Sequence, residues 1–259
     1  MLETHQLSAG YLPTSPIVRD INLTFQPGKI YALVGPNGCG KSTLLKTIAL
    51  LNSPLTGNIF YKTKPLSQLP SKQKAQIIAM LCQRNPQPEG MTIQQLVEFG
   101  RHAYTGFWGR LSQQDYQYID RMIELCQLHD IRHHYLTDLS GGQNQRGWLA
   151  MTLAQDSRYI LLDEPTTYLD LHHQVELMEL LQYLKASGKT PICVLHDLNQ
   201  ACRYCDEIIV LSQGQIYAQG TPSHIMTANM LSDVFWVNAH ISPAPISQTP
   251  MMTVLNNQT

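Results

Sequence analysis

The spacing of apolar residues changes along this chain, and the changes mark out its elements. Leu2 to Leu7 alternates apolar with polar, and so does Ile17 to Phe25 through Ile17, Ile21, Leu23 and Phe25. Alternation predicts strands with one buried face. Ile30 to Val34 is instead a continuous apolar run, the pattern of a strand buried on both faces. It stops at a glycine-rich stretch, Gly35 to Gly40, and helical spacing begins at Lys41 with Leu44, Leu45 and Ile48. Ile77 to Leu81 reads as a further strand. Met91 to Ala154 is mainly helical in period, with Thr92, Ser112 and Ser140 where N-caps belong. Strands then recur at Tyr159–Leu162 and Pro191–Leu195, each followed by a helical pattern, Leu171 to Leu184 and Asp197 to Tyr204. Ile208–Leu211 and Gln215–Tyr217 flank a Gln213-Gly214 turn. Strand–helix alternation of this kind predicts an α/β fold, a mostly parallel sheet with ligands at the carboxyl ends of its strands, interrupted by a helical insertion. Beyond Asn238 the chain turns rich in Pro, Ser, Gln and Asn, so residues 239–259 are expected to form an irregular tail. No internal repeat occurs, so one such arrangement is present.

The junction of buried strand and helix carries the first chemistry. Gly35-Pro36-Asn37-Gly38-Cys39-Gly40-Lys41-Ser42, followed by Thr43, fits G-x-x-x-x-G-K-[ST]. The glycines let backbone N–H groups turn inward as an anion nest, and the following helix adds its positive end. Lys41 is placed to reach the β and γ phosphates of a nucleotide, and the Ser42 hydroxyl to ligate Mg²⁺. Tyr159-Ile-Leu-Leu then delivers two acids, Asp163 and Glu164. Asp163 suits the Mg²⁺ shell, and Glu164 suits a general base acting on water in line with the γ phosphate.

A second anion site is written at Leu139-Ser140-Gly141-Gly142-Gln143, where a serine hydroxyl, glycine N–H groups and a helix start converge. One nucleotide has no use for two such nests from one chain. Two copies packed head to tail would set this one on the partner's γ phosphate.

With that LSGGQ sequence the chain resembles the ATP-binding-cassette (ABC) family, over roughly residues 2 to 235. The resemblance implies an ABC ATPase domain over 1–238: a P-loop NTPase core with a mostly parallel sheet, an antiparallel β subdomain at the N-terminus, and an all-helical subdomain inserted at approximately 84–156. It implies ATP and Mg²⁺ as cofactors and hydrolysis coupled to transmembrane import. Gln83 matches the glutamine that senses Mg²⁺ and the attacking water, and His196 the histidine that contacts the γ phosphate. Asp170 matches the aspartate bridging the two subunits, and Tyr11 lies where an aromatic ring stacks on adenine.

Finer likeness points to one branch. Tyr168 to Leu177 and His196 to Tyr204, with Gly35 to Thr43 and Met151 to Gln155, look like the ATPases of bacterial iron–siderophore importers of the ferric enterobactin type. That implies a motor bound at the cytoplasmic face of the inner membrane. Its partners would be a second copy of itself and integral membrane permease subunits, which the helical subdomain receives near Arg84 to Arg110 with Phe99, Tyr104, Phe107 and Trp108. A periplasmic or surface binding protein would take part indirectly. The cargo never touches this subunit, so haem, cobalamin and zinc importers stay open. So does a soluble cassette acting on ribosomes or DNA, although two cassettes or a long coiled coil, usual there, are missing.

Composition narrows this further. The net charge of -1 and the lack of a basic stripe give no footprint for nucleic acid. No apolar run approaches the ~20 residues of a membrane helix, and Met1 to His5 lacks a signal-peptide pattern. Only 14% of residues are charged, in keeping with surface covered by partners. The cysteines, including the pair Cys202 and Cys205, are expected to be reduced thiols, mostly buried. His133-His134 and His172-His173 are adjacent pairs whose members diverge on a helix, and His129 with His133 lacks further ligands; none is expected to hold a metal.

Overall fold

The computed structural model describes residues 1–105, 110–167 and 169–255; Phe107, Trp108 and Tyr168 lie outside the described residues. In chain order the elements are β1 (Leu2–Ala9), β2 (Val18–Phe25), β3 (Tyr31–Val34), α1 (Lys41–Ile48), β4 (Thr56–Tyr61), β5 (Lys64–Pro65) and α2 (Ser71–Ile77). There follow β6 (Ile78–Leu81), α3 (Ile93–Gly100), α4 (Gln113–Leu125), α5 (Gly141–Ala154), β7 (Tyr159–Leu162), α6 (Leu171–Ala186) and β8 (Thr190–Val194). The chain continues through α7 (Leu198–Tyr204), β9 (Glu207–Ser212), β10 (Gln215–Gly220), α8 (Pro222–Ile225), α9 (Ala228–Phe235), β11 (Ala239–Pro243) and β12 (Pro250–Val254). Two compact units result, Met1–Gln68 with Leu184–Thr259, and Leu69–Tyr183.

In the first unit β1 pairs antiparallel with β2 and β4. The alternation in β1 slips between Thr4 and Leu7, where the register shifts and Gln6 adopts φ 48°. Thr4 is turned inward by alternation with Leu2, and the bulge after it brings Leu7 and Ala9 onto the same buried face. The buried Thr4 hydroxyl is satisfied: it donates to Ile21 O (3.0 Å) and accepts from Leu23 N (2.9 Å). Beside this sheet β3 runs parallel to both β8 and β9, with β10 antiparallel at the edge of β9. Every residue of β3 and β8 is buried, which is why their sequences show no alternation.

Over its described residues the tail is not irregular. β11 and β12 form an antiparallel hairpin from Ala239↔Val254 to Pro243↔Pro250. The composition misleads because the two prolines pair at the last rung, where the ladder ends and a missing N–H costs little. The hairpin lies against α9 and α7.

In the second unit β6 and β7 are parallel, and α3, α4 and α5 pack on one another. The unit also takes in α2 and most of α6. All three expected caps are present as full capping boxes: Thr92 with Gln95, Ser112 with Asp115, and Ser140 with Gln143.

A buried ion pair locks the helices. Arg101 and Asp115 are 8% and 7% exposed. The Arg101 guanidinium donates from Nε to Asp115 Oδ1 (2.9 Å) and from Nη1 to Ala154 O (3.1 Å), and it stacks over the Tyr104 ring at 3.9 Å. Burial alone would raise the Asp115 carboxyl, but hydrogen bonds from Ser112 and Arg101 and the Arg101 charge bring it below its ordinary value. Its contribution to stability is therefore present above the ordinary carboxylate range and lost as pH falls through the lowered value. Asp115→Ala, which strands a buried cation, is expected to cost about 3–5 kcal/mol, measured by urea unfolding. The double variant Arg101→Met with Asp115→Asn, which removes both charges and keeps an acceptor for Ser112, should lose less. An equal or larger loss in the double variant would contradict this account of the pair.

Candidate functional site

The phosphate loop in the first unit is shaped by what it cannot hold. β3 brings the chain up beside β9 and releases it at Gly35, whose φ is 151°. A Cβ built there would lie 2.1 Å from Leu211 O, so a side chain would push the loop off the sheet. Gly40, at φ 107°, turns the chain into α1 and leaves 2.5 Å between a notional Cβ and Val18 Cγ1. No side chain caps α1, so the N–H groups of its first turn point outward as an anion site. Lys41, only 5% exposed, donates its ammonium to Gly35 O (2.8 Å) and Pro36 O (3.0 Å). Both acceptors are neutral, so they leave the positive charge uncancelled inside a loop lined with N–H groups. Burial raises the Cys39 thiol despite the opposing pull of Lys41, so it adds no negative charge to the loop.

The same unit holds His196 and Tyr11. β8 ends at Val194, Leu195 N still reaches Leu33 O (3.3 Å), and the exposed His196 follows before Asp197 caps α7. Tyr11 is 67% exposed in the turn between β1 and β2.

The second unit gathers the acids. Asp163 is buried beyond β7, its N–H bonded to Leu81 O (3.0 Å). Glu164 follows in the left-handed region at φ 53°, a costly conformation for a non-glycine residue and one that concentrates at functional sites. Gln83 Nε2 donates to Glu164 Oε2 at 2.5 Å, and the Thr167 hydroxyl reaches the same oxygen at 3.4 Å. The structure thus joins two residues expected on separate grounds, Gln83 and Glu164, and adds Thr167, which the sequence did not single out.

Ser140 begins α5 with its Oγ accepting from Gln143 N (3.2 Å), while Gln143 Oε1 accepts from Ser140 N (2.9 Å). A Cβ on Gly141 would meet nothing within 4 Å, so the chain's own packing gives no reason for glycine there. Gln145 Nε2 donates to Pro165 O (2.7 Å) and ties α5 to the loop after Glu164, another contact that spacing does not reveal. Asp170 Oδ1 accepts from His173 N (3.0 Å) and pairs with His173 Nδ1 (2.7 Å), which holds its carboxyl below the ordinary value. His172 turns to Glu176 instead (3.2 Å), so the adjacent histidines have different partners. Burial pushes the Cys202 thiol up to about 12 and raises Cys205 too, so neither is a ready thiolate.

The sequence profile of the ABC transporter family matches residues 18–167. The iron(3+)-hydroxamate import ATP-binding protein of Bacillus subtilis is 40% identical over 251 residues, 96% of this chain and 93% of that protein. Among solved structures, a metal-chelate type ABC transporter in an inward-facing conformation superposes with TM-score 0.82 at 26% identity, covering 98% of this chain and 97% of that one. The ATP-binding cassette MJ0796, dimeric in a post-hydrolysis state with ADP and Pi, gives TM-score 0.77 at 27% identity, covering 85% and 98%. The chain therefore belongs to the ABC transporter family and is one of its ATPases.

Proposed function

We propose that this chain is the motor subunit of a bacterial ABC importer and energises uptake of iron–siderophore complexes from the cytoplasmic face of the inner membrane. The observation that carries its chemistry is the Gln83–Glu164 hydrogen bond beside a strained Glu164 backbone. Such a bond orients a carboxylate for work on a water molecule. The iron branch is supported by the iron(3+)-hydroxamate import relative and the metal-chelate type structural neighbour.

In this reading Tyr11 stacks on adenine, and the backbone N–H groups between Gly35 and Thr43, those of Asn37, Gly38, Cys39 and Gly40 among them, surround the phosphates, while Pro36, which has no N–H, shapes the turn. Lys41 turns its ammonium from the loop carbonyls to the β and γ phosphate oxygens. The Ser42 hydroxyl and the Asp163 carboxylate are hard oxygen donors of the kind Mg²⁺ takes, and Gln83 would stand beside them. Bound there, Mg²⁺ would neutralise charge on the phosphate oxygens. Glu164 accepts a proton from water as the water oxygen bonds to the γ phosphorus. The bond from that phosphorus to the bridging oxygen breaks, and ADP keeps the electron pair. His196 contacts the γ phosphate and helps to hold Glu164 and the water.

The second copy supplies the other wall. Ser140, Gly141, Gly142 and Gln143 of one protomer close on the γ phosphate held by the other, with Asp170 bridging. The open space beside Gly141 and the dimeric state of the related cassette support this. For the membrane subunits the helical lobe offers a cavity of about 430 Å³ lined by Glu89, Met91, Gln95, Glu98, Phe99 and His102, with Phe99 62% exposed. A permease segment seated there would cover apolar surface. Among the described residues no helix is long and apolar enough to cross a membrane.

Glu164→Gln is expected to lower turnover by at least about 100-fold while ATP affinity is kept and the dimer accumulates. Phosphate release and gel filtration with ATP measure both, and ordinary hydrolysis would remove Glu164 as the base. Deletion of the chain should abolish growth on one or more iron chelates as sole iron source and leave growth on zinc, haem or cobalamin limitation unchanged. The reverse pattern would replace iron with that other cargo.

A further inference from the structure

The C-terminal hairpin packs on the helix that begins just after His196, and one side chain of that helix is bonded to it twice. Asn199, in the first turn of α7, presents its whole carboxamide to Met252 of β12. Met252 N donates to Asn199 Oδ1 at 2.7 Å, and Asn199 Nδ2 donates to Met252 O at 3.3 Å. The carboxamide thus copies a neighbouring strand, closing both hydrogen bonds of one residue as a peptide group does. β12 is itself held in place, paired to β11 with Met252 opposite Ile241, and Leu255 N reaches Asn238 O at 2.8 Å.

The chain is held on both sides of His196. On one side β8 is wholly buried and Leu195 N bonds to Leu33 O. On the other, Asp197 Oδ1 accepts from Asn199 N (2.8 Å) and Gln200 N (3.0 Å), so the residue after His196 is bound to the first turn of α7. The first anchor belongs to the core and has little freedom. The second moves with α7, a helix of seven residues, too short to be rigid without tertiary support. α7 packs against α8 and β12, and the Asn199–Met252 pair ties it to the hairpin by two hydrogen bonds.

We infer that Asn199 is a positioning residue for hydrolysis: by fastening α7 to the C-terminal hairpin it sets where His196 meets the γ phosphate. The inference rests on the role given to His196 under the proposed function. It assigns the hairpin, residues 239–254, to the catalytic scaffold. The hydrogen bonds act on the transition-state contact and not on the phosphate loop, so they bear on the rate of the chemical step more than on nucleotide binding.

The test is steady-state ATP hydrolysis by the full chain, with ATP affinity measured separately, for wild type, His196→Ala, Asn199→Ala and Asn199→Asp. Asn199→Ala is expected to lower kcat about tenfold, as a small displacement of a working group does, with ATP affinity within about twofold of wild type. Asn199→Asp keeps the acceptor for Met252 N–H but sets a carboxylate oxygen against Met252 O in place of the donor, so its rate should fall as well, with ATP affinity kept. It also carries the test if the alanine variant does not fold. Added to His196→Ala, Asn199→Ala should produce no further loss of rate. Wild-type turnover by Asn199→Ala or Asn199→Asp beside a crippled His196→Ala overturns this inference alone. A fall in ATP affinity matching the fall in kcat overturns it too, because the lesion would then lie in binding. Wild-type turnover by His196→Ala refutes the role of the histidine itself.

Discussion

The fold depends on a loop that leaves no room for a β-carbon. Gly35 sits so close to Leu211 that any side chain would drive β3 and β9 apart or lift the loop from the sheet. Because that space is empty, α1 can begin within a few residues of the strand end, uncapped, with the buried Lys41 ammonium folded back on the loop carbonyls. Backbone N–H groups and one cation are thereby fixed before any anion arrives. A preorganised nest of this kind spends little reorganisation energy when phosphate binds. The parallel pairing of β3 with β8 and β9 supplies the rigid base beneath it.

The second unit uses a different device, backbone strain held by hydrogen bonds. Glu164 would relax from its left-handed conformation in a free peptide. Here the buried β7 before it, the Thr167 N–H bond to its carbonyl, and Gln83 and Thr167 on its carboxylate hold it. α5 contributes from both ends of its first turns: Gln145 fastens the loop at Pro165, while Ser140 and Gly141 face outward. The capping box at Ser140 is chemically like those at Thr92 and Ser112, yet the open space beside Gly141 makes it fit for a body outside the protomer. The Arg101–Asp115 pair keeps α3, α4 and α5 in register behind that surface.

Much of this was legible in the sequence because the signals were local. A continuous apolar run marks a doubly buried strand wherever it falls, and so β3, β7 and β8 stood out. Three N-caps were legible for the same reason, as was the glycine loop between strand and helix. The missed parts depend on partners distant in sequence. Leu2 to Leu7 reads as alternation, and only its pairing with β2 reveals the bulge that brings Leu7 to the same face as Leu2 and Thr4. α2, with Ala75 and Ile77 its only apolar positions, has too few to announce a helix before packing decides. The hairpin was hidden by composition, since Pro243 and Pro250 argue against strands until they are seen opposite each other at the ladder's end. Gln83, Glu164 and His196 could be singled out by residue type and position, whereas the contacts of Thr167 with Glu164, Gln145 with Pro165 and Asn199 with Met252 are visible only in the fold.

The central claim is that one triphosphate is held by two copies of the chain, each lacking half of what hydrolysis needs. The most direct measurement is a crystal structure of the hydrolysis-deficient protein with ATP and Mg²⁺ bound. The account predicts that Lys41 and the loop N–H groups of one protomer, and Ser140 with the Gly141 and Gly142 N–H groups of the other, all lie within hydrogen-bonding distance of the same γ phosphate. A structure in which those glycines stand apart from every nucleotide, in each assembly the crystal offers, would contradict it.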